Sequence, residues 1–247
     1  MTSKKTILIL FSFLLFPFFV LSQSSNLVLT GIMDFTVPSG GSNGKAIHVT
    51  ALDTIADLSI YGIGVANNGG GTDGQEYTFD PISVLPGEHI LVARSIPSMT
   101  SYFDTCFTEF NHVLQATNSI SQNGDDAIEL YFNGSVVETF GDPNLDGTGT
   151  CWEYTDSWAY KSPGDSTCLG GNWIFGGVDC TDGSTTSYSS ICPYPLCPLP
   201  PTSGCTDPFA LNYDPNATFN DGSCLYSGCL DPTALNYCSS CNVNDSL

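Results

Sequence analysis

The sequence predicts an all-β protein, an antiparallel β-sandwich followed by small disulfide-stapled repeats. Three observations carry this. Residues 23–185 hold many short strand-patterned segments separated by Gly- and Asn-rich turns. Eleven cysteines follow an apolar leader, the inventory of a disulfide-bonded secreted chain. A cysteine-bracketed motif near the end also recurs at a fixed period.

Residues 1–22 read as a signal peptide. Lys4 and Lys5 supply its positive start, and a largely apolar run covers 7–21. Val20 and Ser22 place small side chains at −3 and −1 of a cut before Gln23. A spanning anchor would want about 20 apolar residues, and Pro17 interrupts this run. Strand candidates follow at 26–32, 46–52, 56–65, 76–79, 89–94, 127–132 and 136–140. In 56–65, Leu58, Ile60 and Gly62 alternate with Ser59 and Tyr61, the period of a strand. Asn133-Gly134 joins the last two as a hairpin, because a type I′ turn needs positive φ at both central residues. Segments 152–161 and 172–175 are the expected closing strands, and the one expected helix lies near 99–107.

At about residue 183 the composition shifts. Residues 186–203 read as a Pro/Ser/Cys-rich linker, because five prolines in ICPYPLCPLPPTSG favour stiff, extended chain. A Cys192–Cys197 bridge would pin it. Two repeats follow, 204–227 and a truncated 228–247. Cys205 corresponds to Cys229, Asp207 to Asp231, Asn212 to Asn236 and Tyr213 to Tyr237. The counterpart of Cys224 falls one position past Leu247. Units this short cannot bury a core, so a disulfide must hold each one. Cys205 is expected to pair with Cys224, and Cys229, Cys238 and Cys241 leave one thiol over. Spacing leaves open the pairing of Cys106, Cys151, Cys168, Cys180, Cys192 and Cys197.

Charge excludes whole classes of partner. Acidic residues number 25 and basic ones 5, and loss of the leader leaves only Lys45, Arg94 and Lys161 as bases. Nucleic acid binding needs a stripe of cations, which three scattered bases cannot supply. No later segment is long and apolar enough to insert in a membrane once the signal is cleaved.

The stretch NGDDAIELYFNGSVVETFGD, residues 123–142, resembles the late hairpin of the lamin-tail family. LPGEHILVARS, 85–95, is similar to a strand of the same family, and GTGTCWEYTDSWAYK, 147–161, to the closing segment of its bacterial secreted branch. The resemblance implies an Ig-like β-sandwich. The tail is similar to the GCTDP…NY…DGSC repeats of Bacteroidetes-type surface proteins. Gly204, Cys205, Thr206, Asp207, Pro208, Ala210, Asn212, Tyr213 and the DGSC of 221–224 match it. Together these imply a secreted or bacterial cell-surface location. They also imply a second reading, the accessory part of a secreted nuclease or phosphatase whose catalytic domain lies elsewhere.

Residues 142–153, DPNLDGTGTCWE, form a candidate calcium loop. Asp142, Asn144 and Asp146 occupy positions 1, 3 and 5 of an EF-hand-type spacing, Thr148 position 7 and Glu153 position 12. Gly147 at position 6 permits the sharp turn. The competing reading is a plain β-turn loop between strands. Trp152, Tyr154, Trp158 and Tyr160 share one parity, so a continuous strand would align their rings. Trp152 and Trp158 are then a candidate sugar-stacking face, with burial in the core as the competing reading. His48, His89 and His112 are the only neutral-pH bases, and His48 and His89 read as structural. The Gly-rich 62–74 lacks the Lys-Ser/Thr of a phosphate loop and reads as a hairpin loop. Asp125, Asp126 and Glu129 read as a solvated turn. Cys238-Ser-Ser-Cys241 reads as a disulfide, since it lacks the context of a redox or zinc site. The function expected is a non-enzymatic binding or adhesion module for an extracellular protein or glycan, with no catalytic residue. A carbohydrate-binding module is the third reading.

Overall fold

The computed structural model describes residues 25–163, 167–197 and 202–245. The expected leader lies outside the described residues. The chain is mostly β-strand, with helix confined to one α-helix and short 3₁₀ turns among the described residues. Ten strands make two sheets. They are β1 (Leu27–Asp34), β2 (Lys45–Ala51), β3 (Tyr61–Ala66), β4 (Tyr77–Thr78) and β5 (His89–Ala93), then β6 (His112–Gln115), β7 (Ala127–Phe132), β8 (Ser135–Phe140), β9 (Ser157–Lys161) and β10 (Trp173–Phe175). The larger sheet runs β10-β9-β1-β2-β5-β6 and the smaller β4-β3-β7-β8. The β7–β8 hairpin turns at Asn133 and Gly134 with φ of 48° and 76°, the positive pair a type I′ turn requires.

One pairing departs from the antiparallel expectation. β6 lies parallel to β5. A parallel neighbour needs a crossover, and α1 (Ile96–Phe103) with a 3₁₀ turn (Asp104–Glu109) supplies it. Ser95 caps α1 by accepting the Ser98 N–H, and Pro97 sits in the first turn, where its missing donor costs nothing.

The larger sheet alternates between two apolar sets. Ile47, Val49, Ile90, Val92, Ala159 and Trp173 join Ile63, Val65, Ile128 and Leu130 of the smaller sheet in one buried cluster. Their neighbours Ala46, Leu91, Ala93 and Trp158 point the other way. They pack with Met99, Tyr102 and Phe103 of α1 and with Tyr194. The larger sheet is therefore covered on both faces.

The second cover corrects the reading of 186–203 as a linker for residues 186–197; residues 198–201 of that segment lie outside the described residues. Cys197 bonds to Cys106 and Cys192 to Cys180, so Cys192 and Cys197 are not joined to each other. The segment up to Cys197 is a strap across the outer face. Its Tyr194 is 1% exposed. A Cβ on Gly31 would overlap the Tyr194 hydroxyl, so the glycine is a notch in β1 that admits the ring. The Trp158 Nε1–H donates to Cys192 O at 2.8 Å, and Tyr102 shares a 2.7 Å hydrogen bond with Ser184. Cys106 and Cys197 are 91 residues apart, and closing a loop of that length contributes about 4–5 kcal/mol on the chain-entropy account.

A third disulfide, Cys151–Cys168, ties the loop before β9 to the turn before β10. Between the two sheets, Glu138 of β8 makes a cross-tie. β9 pairs with β1 only from Gly31 onward. The Leu29 N–H, just before that point, donates instead to Glu138 Oε2 at 2.8 Å. Glu138 Oε1 accepts from Lys161.

Both repeats are small parallel-bridged units. β11 (Ser203–Gly204) pairs with β12 (Phe219–Asn220), and β13 (Ser227–Gly228) with β14 (Val243–Asn244). Cys205 and Cys224 are bonded and both buried. Cys238 and Cys241 are bonded, and Cys229 is a free buried thiol.

Tyr194→Phe keeps the ring in its notch and deletes one buried hydrogen bond, so it should cost about 1–2 kcal/mol in urea unfolding. Gly31→Ala should cost more, because the ring must leave. Equal stability of Gly31→Ala and wild type would contradict the notch.

Candidate functional site

The rings expected to form a stacking face do not form one. The strand is interrupted at Asp156, whose φ is 45°. Trp152 and Tyr154, before the break, pack in the cluster between the sheets. Trp158, after it, packs in the outer cluster. Trp152 is 4% exposed and Trp158 6%, so neither ring is open to a sugar.

The expected calcium ligands cap their own loop. Asp142 Oδ1 accepts the Asn144 N–H at 2.9 Å, and Asp146 Oδ1 the Thr148 N–H at 3.0 Å. Glu153 Oε2 accepts the Gly149 N–H at 2.7 Å. The Thr148 hydroxyl donates to Asp125 Oδ2 at 2.8 Å. Asp142, Asp146 and Glu153 are not among the carboxylates that gather within 4.8 Å of one another in the described residues.

The acids of 125–129 do more than solvate a turn. Asp126 is fully buried and accepts the Asn68 N–H at 2.7 Å and the Asn123 N–H at 3.0 Å. Glu129 is 2% exposed and accepts from the Thr72 hydroxyl at 2.5 Å and the Tyr131 hydroxyl at 3.1 Å. Asn68 and Thr72 belong to the Gly-rich loop, so these two acids hold that loop down. A Cβ on Gly64 would lie 2.6 Å from Gly74 O, which explains the missing side chain where the loop returns over β3.

Each histidine has a partner within the fold. His48 is fully buried, with Nδ1 2.9 Å from the Tyr194 hydroxyl and Nε2 2.8 Å from His89 Nδ1. Burial, reinforced by His89, holds His48 well below the ordinary histidine pKa. Burial also lowers His89. His112 pairs with Glu88 at 3.1 Å.

The carboxylates that do converge were not legible as a motif. Asp156, Asp179 and Asp182 lie within 4.8 Å of one another. The Thr181 N–H and hydroxyl both reach Asp156 O, at 3.1 and 2.7 Å, and fold the 179–182 turn back onto 156. Thr36 donates to Asp182 at 2.7 Å. Close by, Asp34 pairs with Lys45 at 3.4 Å, and Lys45 also donates to Gln122 O. Burial raises Asp34 to a pKa of about 6 against the lowering pull of Lys45, and Asp156 adds to the rise.

A concavity opens beside the small sheet among the described residues. It encloses about 450 Å³ beside β3, β7 and β8. Ile55, Ile60, Tyr61, Phe132 and Val137 make its wall, and Ser25, Asn26, Thr54 and Asp57 its polar rim. Asp57 caps the 3₁₀ turn that leads into β3, accepting the Ser59 N–H at 3.0 Å and its hydroxyl at 2.6 Å. Those bonds hold its carboxyl below the usual range. Tyr61 and Phe132 pack at 5.0 Å between ring centroids. Ile60 is 38% and Val137 37% exposed. Volume and lining suit a small ligand or one inserted segment.

No family model, curated protein or solved structure matches this chain.

Five disulfides suit an oxidising, extracellular compartment. No helix among the described residues is long and apolar enough to cross a membrane.

The folded pKa of Asp34 lies above that of the unfolded chain, so the stability it contributes is full below about pH 4. That contribution is lost as pH rises through about 6. A carbon-detected NMR titration should give Asp34 a midpoint near 6, moving higher in Lys45→Met. A midpoint near 4 would contradict the burial argument.

Proposed function

We propose that this chain is a secreted or cell-surface, non-catalytic binding module built on an Ig-like β-sandwich of lamin-tail type. The pocket bounded by Ile60, Phe132 and Val137 is its ligand seat. The observation that carries the reading is this mostly apolar cavity with a short polar rim, set where β3, β7, β8 and a capped turn meet. Apolar walls supply affinity by burial, and a few fixed polar groups orient the ligand.

Charge narrows the ligand. Asp57 is the one charged residue in the lining, and the formal net charge of the whole chain is −20. An anionic ligand would be repelled on approach. The ligand is therefore a neutral glycan or a neutral to basic segment of an extracellular protein. The two repeats extend the module as a disulfide-held spacer.

An array carrying neutral glycans and basic peptides tests this. The protein should bind at least one such probe, and Ile60→Asp or Val137→Asp should weaken that binding at least tenfold. Both positions are partly exposed, so the melting temperature should stay within a few degrees of wild type. A blank array, or equal binding by the variants, would overturn the reading.

A further inference from the structure

An edge strand leaves one side of its backbone without partners, and sheets ordinarily keep such strands short, charged or broken. The two large sheets end on four strands, β4, β8, β10 and β6. β4 has two residues, β10 three and β6 four, whereas β8 has six, Ser-Val-Val-Glu-Thr-Phe. That stretch holds neither lysine nor proline. Its one charge, Glu138, is turned inward and engaged by the Leu29 N–H and Lys161. Ser135, Val136, Val137 and Thr139 are exposed.

The hairpin fixes which backbone groups of β8 are open. Its type I′ turn makes Phe132 and Ser135 the hydrogen-bonded pair that closes the turn. Hydrogen-bonded and non-hydrogen-bonded pairs alternate along an antiparallel ladder. Val136, opposite Tyr131, therefore turns its N–H and C=O away from β7. Among the described residues, the backbone hydrogen bonds of β8 lead only to β7. Val137 falls at a bulge, without a partner on β7, and lines the pocket together with Phe132. The bulge re-aims that side chain, so an open backbone edge and an apolar seat lie side by side.

We propose that β8 takes up an extended, basic segment of another extracellular protein as an additional strand, with an aliphatic side chain of that segment seated in the pocket beside Val137. This rests on the pocket being a ligand seat and narrows its ligand from glycan or protein to a peptide backbone. The open edge supplies hydrogen bonds along the segment, and the pocket selects the side chain that enters it. Side chains of a strand alternate between two faces. A segment with aliphatic residues on one face and lysine or arginine on the other meets both demands.

Charge favours such a partner over a second copy of this chain. No basic residue lies on β8 or lines the pocket, and Asp57 stands on the rim. A second copy would bring the same rim and the same formal net charge of −20, so like charge opposes it.

The probes are two immobilised octapeptide libraries in which alternate positions are aliphatic. The remaining positions are Lys or Thr in one library and Glu or Thr in the other. The full chain should bind members of the basic library and none of the acidic one. In the strongest basic binder, methylating the backbone nitrogens along one edge should weaken binding at least tenfold, and methylating those along the other edge should change it little. Amide hydrogen exchange at Val136 should slow at least tenfold in the complex. Binding that Ile60→Asp weakens, with equal effects of the two methylated series or unchanged exchange at Val136, would leave the pocket standing and overturn strand addition. Preference for the acidic library, or no binding to either, would also overturn strand addition. Neutral-glycan binding that Ile60→Asp weakens would then keep the pocket as the seat, and a blank glycan array would remove both.

Discussion

A sheet with two apolar faces must be covered twice, and this one requirement organises the molecule. β1, β2, β5, β9 and β10 send alternate side chains into two clusters. The smaller sheet covers one face. The other would leave Met33, Leu91 and Trp158 in water without α1 and the strap. Burying such side chains is worth roughly 1.5–3 kcal/mol apiece. The strap has no strand pairing of its own to hold it in place. Two disulfides and one tyrosine in a glycine notch do that instead.

Double coverage also explains the buried polar groups. Strand positions that face the strap lose water, so their polar side chains must find partners inside. His48 finds Tyr194 and His89, and the His89 ring nitrogen also lies 3.1 Å from the Thr50 hydroxyl. Near the end of the same sheet, Lys45 answers Asp34 and the Gln122 carbonyl. Gln122 is fully buried; its amide NH2 donates to Met33 O and Ala46 O, tying two strand backbones together, while its Oε1 is left without a partner among the described residues. These networks bind the ends of β1 and β2, as Glu138 ties the two sheets along their flank.

Local chemistry was legible in the sequence, and long-range placement was not. The β7–β8 hairpin was readable because Asn133-Gly134 states its own dihedral angles. The period of the two cysteine-bracketed tail segments is a property of the sequence itself. β6 escaped notice: HVLQ is short and owes its place to the α1 crossover. The strap read as a linker because proline density reports stiffness, not what the stiff chain lies against. Gly31 looked like any strand glycine until Tyr194, far along the chain, occupied its place. Trp152 and Trp158 share parity, but parity carries no information across a left-handed residue such as Asp156. The pocket has no motif either. Its wall joins residues 55–61 to 132 and 137, which only the β3–β7–β8 pairing brings together.

The outer face of the larger sheet stays covered only if the strap is part of the β-domain. Peptide mapping of the unreduced protein, digested under acidic conditions that block exchange, tests this most directly. One linked peptide pair should join Cys106 to Cys197 and another Cys180 to Cys192. A peptide in which Cys192 is bonded to Cys197 would free the segment from the sheet and contradict it.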